Sequence, residues 1–591
     1  MRYRWRLPES NPEDLDVIRN LSRLLNVPNS LASILVARGI RSYDEAKAFF
    51  RPSLDELYDP ALMSDMDIAT ARVRKAIDSG ERIAVYGDYD VDGTTSTAMM
   101  TLFLHSLGAN VAFHIPNRFT EGYGLTVHSL DRLFAENIPG LLLSIDCGIT
   151  AIDAVAYSRS RGVDVVICDH HEPTNSLPDA NAILNPIKPG CTYPNKHLCG
   201  CGVAFKLIQS LAASYGKPEA AYQYLDFVAL ASSADIVSLI GENRILVYYG
   251  LQQLNQSPRP GIKALIQGSG MQLGKITTTQ IVFGLAPRIN AAGRLGEGSR
   301  SVELMMAQGV DESHQLSLVL EEENVNRRRI DEEAFFEAAA IVDATLDRDR
   351  DRIIVLHNPE WHAGIIGIVA SRIVEKYNLP VVLMTTIDGI AKGSARSIGG
   401  FDIHSALKLC EDKLVTFGGH KYAAGVSMMP ERVAEFREAI NKVAHNMFTD
   451  QMLERELVID AAIEMGELTP KYFAVVRQLA PFGPDNLRPL FYSKGVQAIG
   501  YPRTVGKGVP HLKCNLRPTK PVEYIPTDAK NNIPLCLGGA PLDAIGFGLG
   551  ERMDELSKGN KLRDDLEIVF ALDENDFNGK VTPQLVLKDF K

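Results

Sequence analysis

Long apolar runs are missing from this chain. None reaches the roughly 18 residues that a membrane-crossing helix needs, and the most apolar stretch, LDFVALASSADIVSLI, is interrupted by Asp235. The opening MRYRWRLPES carries arginine with no apolar core behind it, unlike a secretory leader. The expectation is therefore a cytoplasmic protein with no membrane partner. Cysteine is sparse, eight in 591 residues and scattered, which excludes a disulfide scaffold and fits reduced thiols. One cluster, Cys191, His197, Cys199 and Cys201 in CTYPNKHLCGC, has ligand chemistry for zinc. Its closest cysteines have one residue between them, however, where zinc knuckles use two to four, so it reads as a turn into the helix VAFKLIQSLAASYG. A glycine-rich phosphate cradle of the nucleotide-hydrolase type is absent, and ATP is not implied. An excess of basic charge is absent too. The net charge of −11 argues against indiscriminate nucleic-acid binding but permits a local basic channel.

What is present is ordinary in bulk, 45% apolar and 23% charged, and too long for one core; three or four domains are expected. Short apolar runs alternate with helical ones: RIAVY, a helix near 94–107, NVAFHIP, LTVHSLDRLFAEN, LLLSID, AIDAVAYSRS, VDVVICDHH. That rhythm predicts βαβ units and a mostly parallel sheet. The informative residues stand where the strands end. RIAVY leads into Asp88, Asp90 and Asp92, LLLSI into Asp146, and VDVVIC into Asp169, His170 and His171. Singly, these read as well as a solvated acidic turn, the start of a calcium loop, or a surface histidine pair. Parallel strands end on one sheet edge, so the groups are expected to converge. Asp235 interrupts an apolar helical run, where a carboxylate is costly unless capped, paired or metal-bound. Mixed Asp and His donors suit Mn²⁺ or Mg²⁺, and a pair of such ions performs phosphoryl chemistry by activating water and stabilising the leaving oxygen.

Further along, PNRFTEGYG offers Arg118 and Tyr123, which could grip a phosphate and stack on an unpaired base, or be a surface arginine and a packed tyrosine. A helix is expected over about 310–347, with Arg327, Arg328 and Arg329 on a salt-bridged solvated face. A second α/β unit follows (RIIVLHN, GIIGIVASRIVEKYN, PVVLMTT). Its GSARS and FGGHKYAAG place Ser394, Arg396, Gly418, Gly419 and His420 in loops after strands, as an anion nest or as plain turns. From about 455 onward short alternating runs separated by Gly, Pro and Asn have a β-barrel rhythm, with Lys507, His511, Lys513 and Arg517 as candidate contacts to a nucleic-acid backbone.

DYDVDG, SIDCGIT, CDHH and ADIV resemble, in order, the four motifs of the DHH phosphoesterase superfamily, and the chain is most similar to its RecJ branch. The resemblance implies an α/β fold: an N-terminal arm (1–55), a parallel-sheet DHH domain (56–309), a connecting helix (310–350), a DHHA1 domain (351–450) and a C-terminal OB-fold β-barrel (451–591). It implies two divalent ions, Mn²⁺ or Mg²⁺, held by Asp90, Asp92, Asp146, His170 and Asp235, with Asp88 a ligand or close behind one. His171 would meet the scissile phosphate, and Asp169 would orient the histidines. Arg288, Asn290 and Arg294 of LAPRINAAGRLG would lie near the substrate path, and the GSARS and GGH segments would hold substrate. The implied activity is a 5′→3′ exonuclease of single-stranded DNA that releases mononucleotides in repair and recombination. It would act as a monomer, with single-strand-binding protein and a helicase as partners. The rivals are a DHH phosphodiesterase of short oligonucleotides or cyclic dinucleotides, and a silent DNA-binding scaffold. Two departures from the family pattern stand out: Asp485 and Leu487 where Gly and Pro are usual, and Ala395 where Gly is common.

Overall fold

The computed structural model describes residues 3–9, 11–506, 508–520, 541–577 and 580–591; Lys507 lies outside them. The chain divides into two compact units, one of residues 58–237 and 249–455, the other of residues 1–57, 238–248 and 456–591.

The larger unit begins with a five-stranded, wholly parallel sheet. Ile83–Gly87 pairs with Val111–His114 on one side and Leu141–Ile145 on the other, followed by Asp164–Cys168 and Ala182–Leu184. Its central strands are buried throughout, the reason they read as continuous apolar runs rather than alternating ones. In chain order the sheet runs 2-1-3-4-5. The winding therefore reverses between the first and third strands, which opens a crevice at their carboxyl ends. The helix Val91–Ser106 is buried nearly all round beneath that crevice. The stretch from Cys191 to Cys199 leads as a turn into the helix Gly200–Ser214, with Cys199 as its N-cap and Cys201 in its first turn.

A 36-residue helix, Val310–Thr345, links this lobe to a second. Arg329 pairs with Glu333 on its solvated face at 2.8 Å. Arg327 departs from expectation: it is buried, and its Nη2 donates to Asn324 Oδ1 at 2.9 Å. Three successive positions on a helix span about 200° of its circumference, so they cannot all face water. The second lobe is a mixed sheet in the order Thr416–His420, Ala423–Met428, Ile390–Arg396, Val381–Ile387, Ile354–His357. Alternate residues serve separate cores. Val355, Val382 and Met384 pack with Phe436 and Ile440, whereas Ile354, Leu356, Val381 and Leu383 pack with Ala338 and Val342 of the long helix. Ser394 and Arg396 lie within a strand, and Gly418, Gly419 and His420 within the edge strand, not in loops. Glycine there suggested a turn, but backbone pairing across a hairpin needs no side chain.

In the smaller unit Phe491–Val505, His511–Pro518, Leu542–Gly546, Lys580–Phe590 and Leu566–Phe577 pair in that order, and the last returns to the first to close a barrel. Its core includes Phe491, Leu512, Phe570 and Phe590 together with Leu31, Ile34 and Leu35 of the helix Asn29–Ala37. The N-terminal segment thus packs on the C-terminal barrel. Arg244 joins the same unit, donating to the carbonyls of Phe49, Leu479 and Ala480 at 3.1, 2.9 and 2.8 Å. Asp485, standing where glycine is usual, takes the left-handed backbone (φ 60°) that glycine would serve, a conformation Asp tolerates. No helix among the described residues is long and apolar enough to cross a membrane.

Candidate metal centre

Three strand ends and one helix end build the centre. After Ile83–Gly87 the chain turns directly into the helix Val91–Ser106, with Asp90 as N-cap accepting from Gly93 N at 3.0 Å. Asp88 Oδ1 accepts from Tyr89 N at 2.8 Å. Asp92, in the helix's first turn, is buried and held from outside. Its Oδ2 and Oδ1 accept from Gly200 N and Cys201 N at 2.6 and 2.8 Å, the free amides at the start of Gly200–Ser214. Gly200 permits this approach because a Cβ there would stand 2.5 Å from Asp146 Oδ1. The CGC stretch is therefore a carboxylate cradle.

Asp146 follows Leu141–Ile145 with a left-handed backbone (φ 61°), its N–H continuing the ladder to Cys168 O at 2.8 Å. Asp169 is buried and saturated: it accepts from Ile149 N (2.9 Å), His170 N (2.8 Å), His171 N (3.1 Å) and His171 Nδ1 (2.7 Å). Burial opposes its charge, but these donors outweigh burial and hold its pKa low. Burial likewise opposes a charge on His171, yet its bond to Asp169 lifts the imidazole to about 9. Asp235 does not interrupt a helix; it caps the C-terminal end of Leu225–Ala234. Ile236 after it is left-handed (φ 58°), an uncommon state for a β-branched residue. Two such backbones beside one centre fit strain held at a functional site.

The donors converge. His170 Nε2 lies 3.2 Å from Asp146 Oδ1 and 3.8 Å from both Asp92 Oδ2 and Asp235 Oδ2. Three overlapping groups have donor atoms within 4.8 Å of one another: Asp88, Asp90 and Asp146; Asp92, His170 and Asp235; Asp146, His170 and His171. Asp146 Oδ1 is buried and accepts no hydrogen bond from the described residues. Burial first, and then the neighbouring carboxylates, raise Asp88 to about 7 and Asp235 to about 8, and raise Asp90 and Asp146 as well. Such a site repels itself until a cation enters. An oxygen-rich set with one or two imidazoles fits Mn²⁺ or Mg²⁺.

Family models match along the chain: the DHH family N-terminal domain over residues 82–232, the DHHA1 domain over 350–446 and the RecJ OB domain over 459–589. The single-stranded-DNA-specific exonuclease RecJ of Bacillus subtilis (strain 168) is 34% identical over 591 residues, 100% of this chain and 71% of that protein. The crystal structure of RecJ in complex with Mn²⁺ from Thermus thermophilus superposes with a TM-score of 0.80 at 29% identity, covering 100% of this chain and 79% of that one. Its Mg²⁺ complex gives 0.75 at 28% identity, covering 100% of this chain and 78% of that one. The chain belongs to the RecJ family. The RecJ structures named with Mn²⁺ and Mg²⁺ are in keeping with the donor set assembled here.

RecJ-type substrate residues suggested by sequence divide into two groups. Arg118 lies with its guanidinium 4.8 Å over the ring of Tyr89, on the acidic loop itself, and Tyr123 meets Tyr89 edge-on at 6.0 Å. Arg294 donates to Gly364 O of the second lobe at 3.0 Å, and His362 packs edge-on against Phe119 at 5.6 Å. The helix Ile366–Tyr377 starts just beyond. At Gly367 an added Cβ would stand 3.0 Å from Arg396 Nη2 and 3.1 Å from Ser394 Oγ. Contacts therefore run from the carboxylates to the GSARS strand. Sheet register brings the glycines alongside: Gly418 pairs with Gly425, which pairs with Ser394, and His420 with Ala423, which pairs with Arg396. Asn290 is half-buried on the helix Ala286–Leu295. Arg288 does not join them. It is buried, bonded to Glu321 and to Gly284 O (2.8 Å), and fills its own packing role. Tyr89, His362 and the amides of Gly200 and Cys201 were missed by sequence reasoning.

Proposed function

We propose that the protein hydrolyses single-stranded DNA from its 5′ end, releasing mononucleotides with two divalent ions. The observation that carries this reading is the meeting of Asp88, Asp90, Asp92, Asp146, His170 and Asp235 in overlapping donor groups at the sheet's switch point. In this reading Asp92, His170 and Asp235 would hold one ion and Asp88 and Asp90 the other, with Asp146, present in two of the groups, shared between them. Bound ions supply Lewis acidity to the attacking water and to the leaving oxygen. His171, oriented through Nδ1 by Asp169, presents its other ring nitrogen to the scissile phosphate. Arg118, Arg294, Ser394 and Arg396, with the exposed backbone of Gly418 and Gly419 and the His420 ring, receive the strand's end. Work from an end follows if that pocket takes a terminal phosphate.

The same reading gives domains at 56–309, 351–450 and 451–591, with 1–55 as an arm and 310–350 as the connector. It makes the protein a monomer of the cytoplasm, acting in repair and recombination beside single-strand-binding protein and a helicase. The seven described cysteines, all free, support a reducing compartment. The test is incubation with Mn²⁺ and a 5′-labelled strand, a 3′-labelled strand, a duplex and a dinucleotide. Early release of labelled mononucleotide from the 5′-labelled single strand is expected. Cleavage of the dinucleotide alone would overturn the reading, and binding without turnover would favour a scaffold.

A further inference from the structure

The segment that delivers Arg118 is folded around one buried carboxylate. Residues 117–121 form a single turn in which Glu121 N and Thr120 N donate to Asn117 O at 2.7 and 3.2 Å. Glu121 is 8% exposed and gathers donors from three places. These are His114 Nε2 at the end of Val111–His114 (2.9 Å), Arg132 Nη1 in the helix Val127–Glu136 (3.1 Å) and the backbone N of Asn117 (3.3 Å). Asn117 completes the clasp. Its Oδ1 accepts from Phe119 N and Thr120 N at 3.0 and 3.3 Å, and its Nδ2 donates to Gly296 O at 2.6 Å, just past the helix Ala286–Leu295.

Both chain neighbours of Arg118 are therefore held, whereas Arg118 itself has no hydrogen bond or ion pair among the described residues and rests on Tyr89. A long cation held with unused donors is set for an anion that arrives later. A buried carboxylate shared by a strand end, a helix and a turn is a stiff way to fix where that cation sits, since removing it would take the partner from His114 Nε2 and from the backbone N of Asn117 at once, while the half-exposed Arg132 would keep its bond to Thr120 Oγ1 at 3.0 Å.

We propose that Glu121 is a positioning residue that sets Arg118 to receive the terminal phosphate of the strand, and so determines preference for a phosphorylated end. This rests on the reading of Arg118 given above. The experiment is a double-mutant cycle of Arg118→Ala and Glu121→Ala in the full-length, Mn²⁺-loaded protein, measuring kcat and KM on matched strands with a 5′-phosphate or a 5′-hydroxyl. Each single change is expected to raise KM for the phosphorylated strand by about 10-fold or more, the value of a charge-assisted contact, with kcat within a few-fold. Each should bring the phosphate-to-hydroxyl ratio of kcat/KM towards one. The double variant should be no worse than Arg118→Ala alone. Glu121→Gln, which keeps the shape and part of the hydrogen bonding, should recover much of the loss; if Glu121→Ala fails to fold, Glu121→Asp, too short to reach all three donors, carries the cycle. Additive losses, or an equal loss on both strands, would overturn the role of Glu121. If Arg118→Ala itself leaves the ratio unchanged, the terminal-phosphate reading fails first.

Discussion

The two lobes of the larger unit assemble charge in opposite ways. The first gathers carboxylates far apart in sequence: parallel strands deliver Asp88 and Asp146 to one edge, and the end of the helix Leu225–Ala234 adds Asp235. The second presents Ser394, Arg396 and the Gly418–His420 stretch by lateral register across an antiparallel hairpin. The first arrangement is self-repelling and suits cations; the second offers donors, chemistry that suits an anion. A phosphodiester with bound metal ions satisfies both.

The comparison breaks most completely at Asp146. Asp146→Ala removes the donor common to two groups and is expected to cost several kcal/mol of transition-state stabilisation, about a thousandfold in kcat. Single-strand binding should largely survive in a filter or anisotropy assay, and activity within a few-fold of wild type would remove Asp146 from the bridging role. On the other lobe, Arg396→Ala should raise KM by about 10- to 100-fold and spare kcat, as expected for loss of a charged phosphate contact. A kcat defect as large as that of Asp146→Ala would erase the distinction between the lobes. Gly200→Ala places a methyl group against Asp146 and should lower activity or Mn²⁺ affinity by about 10- to 100-fold, measurable by titration calorimetry.

Metal removal sharpens the contrast through pH. Asp88 near 7 and Asp235 near 8 bind protons in the metal-free folded state that the unfolded chain, with carboxylates near 4, has already lost. The chelated protein should therefore lose stability as pH rises from about 4 to 8. Mn²⁺ should raise the unfolding midpoint more at pH 8 than at pH 5, and an equal shift at both would show that the carboxylates do not exchange protons for metal. The smallest effect is expected at Arg288. Arg288→Gln should cost about 1–3 kcal/mol of stability through Glu321 and the Gly284 carbonyl, with KM and kcat on single strands near wild type.

Much of the centre was legible in sequence because period and position carried it. Apolar runs ending in Asp88, Asp146 and Asp169-His170-His171 announce a parallel sheet and a ligand edge together. The supporting residues were not legible. Nothing in CTYPNKHLCGC reveals that Gly200 and Cys201 point their amides at Asp92, 108 and 109 positions earlier in the chain. Arg288 and Arg294 are six residues apart in one small-residue stretch, yet one is sealed against Glu321 while the other reaches the second lobe. Arg327 likewise looked like its neighbours until the helix face it occupies was known.

By itself, then, the sequence determined which residue types stand at strand ends and that a parallel-sheet domain, a long helix and a barrel follow one another, since these depend on local periodicity and turn chemistry. Tertiary structure alone decided that Arg288 is sealed against Glu321 while Arg294 reaches Gly364, which amides hold Asp92, and that residues 1–57 and 238–248 complete the barrel's unit. Those outcomes depend on contacts between segments tens to hundreds of residues apart, where burial and hydrogen-bond geometry, rather than residue type, select the partner.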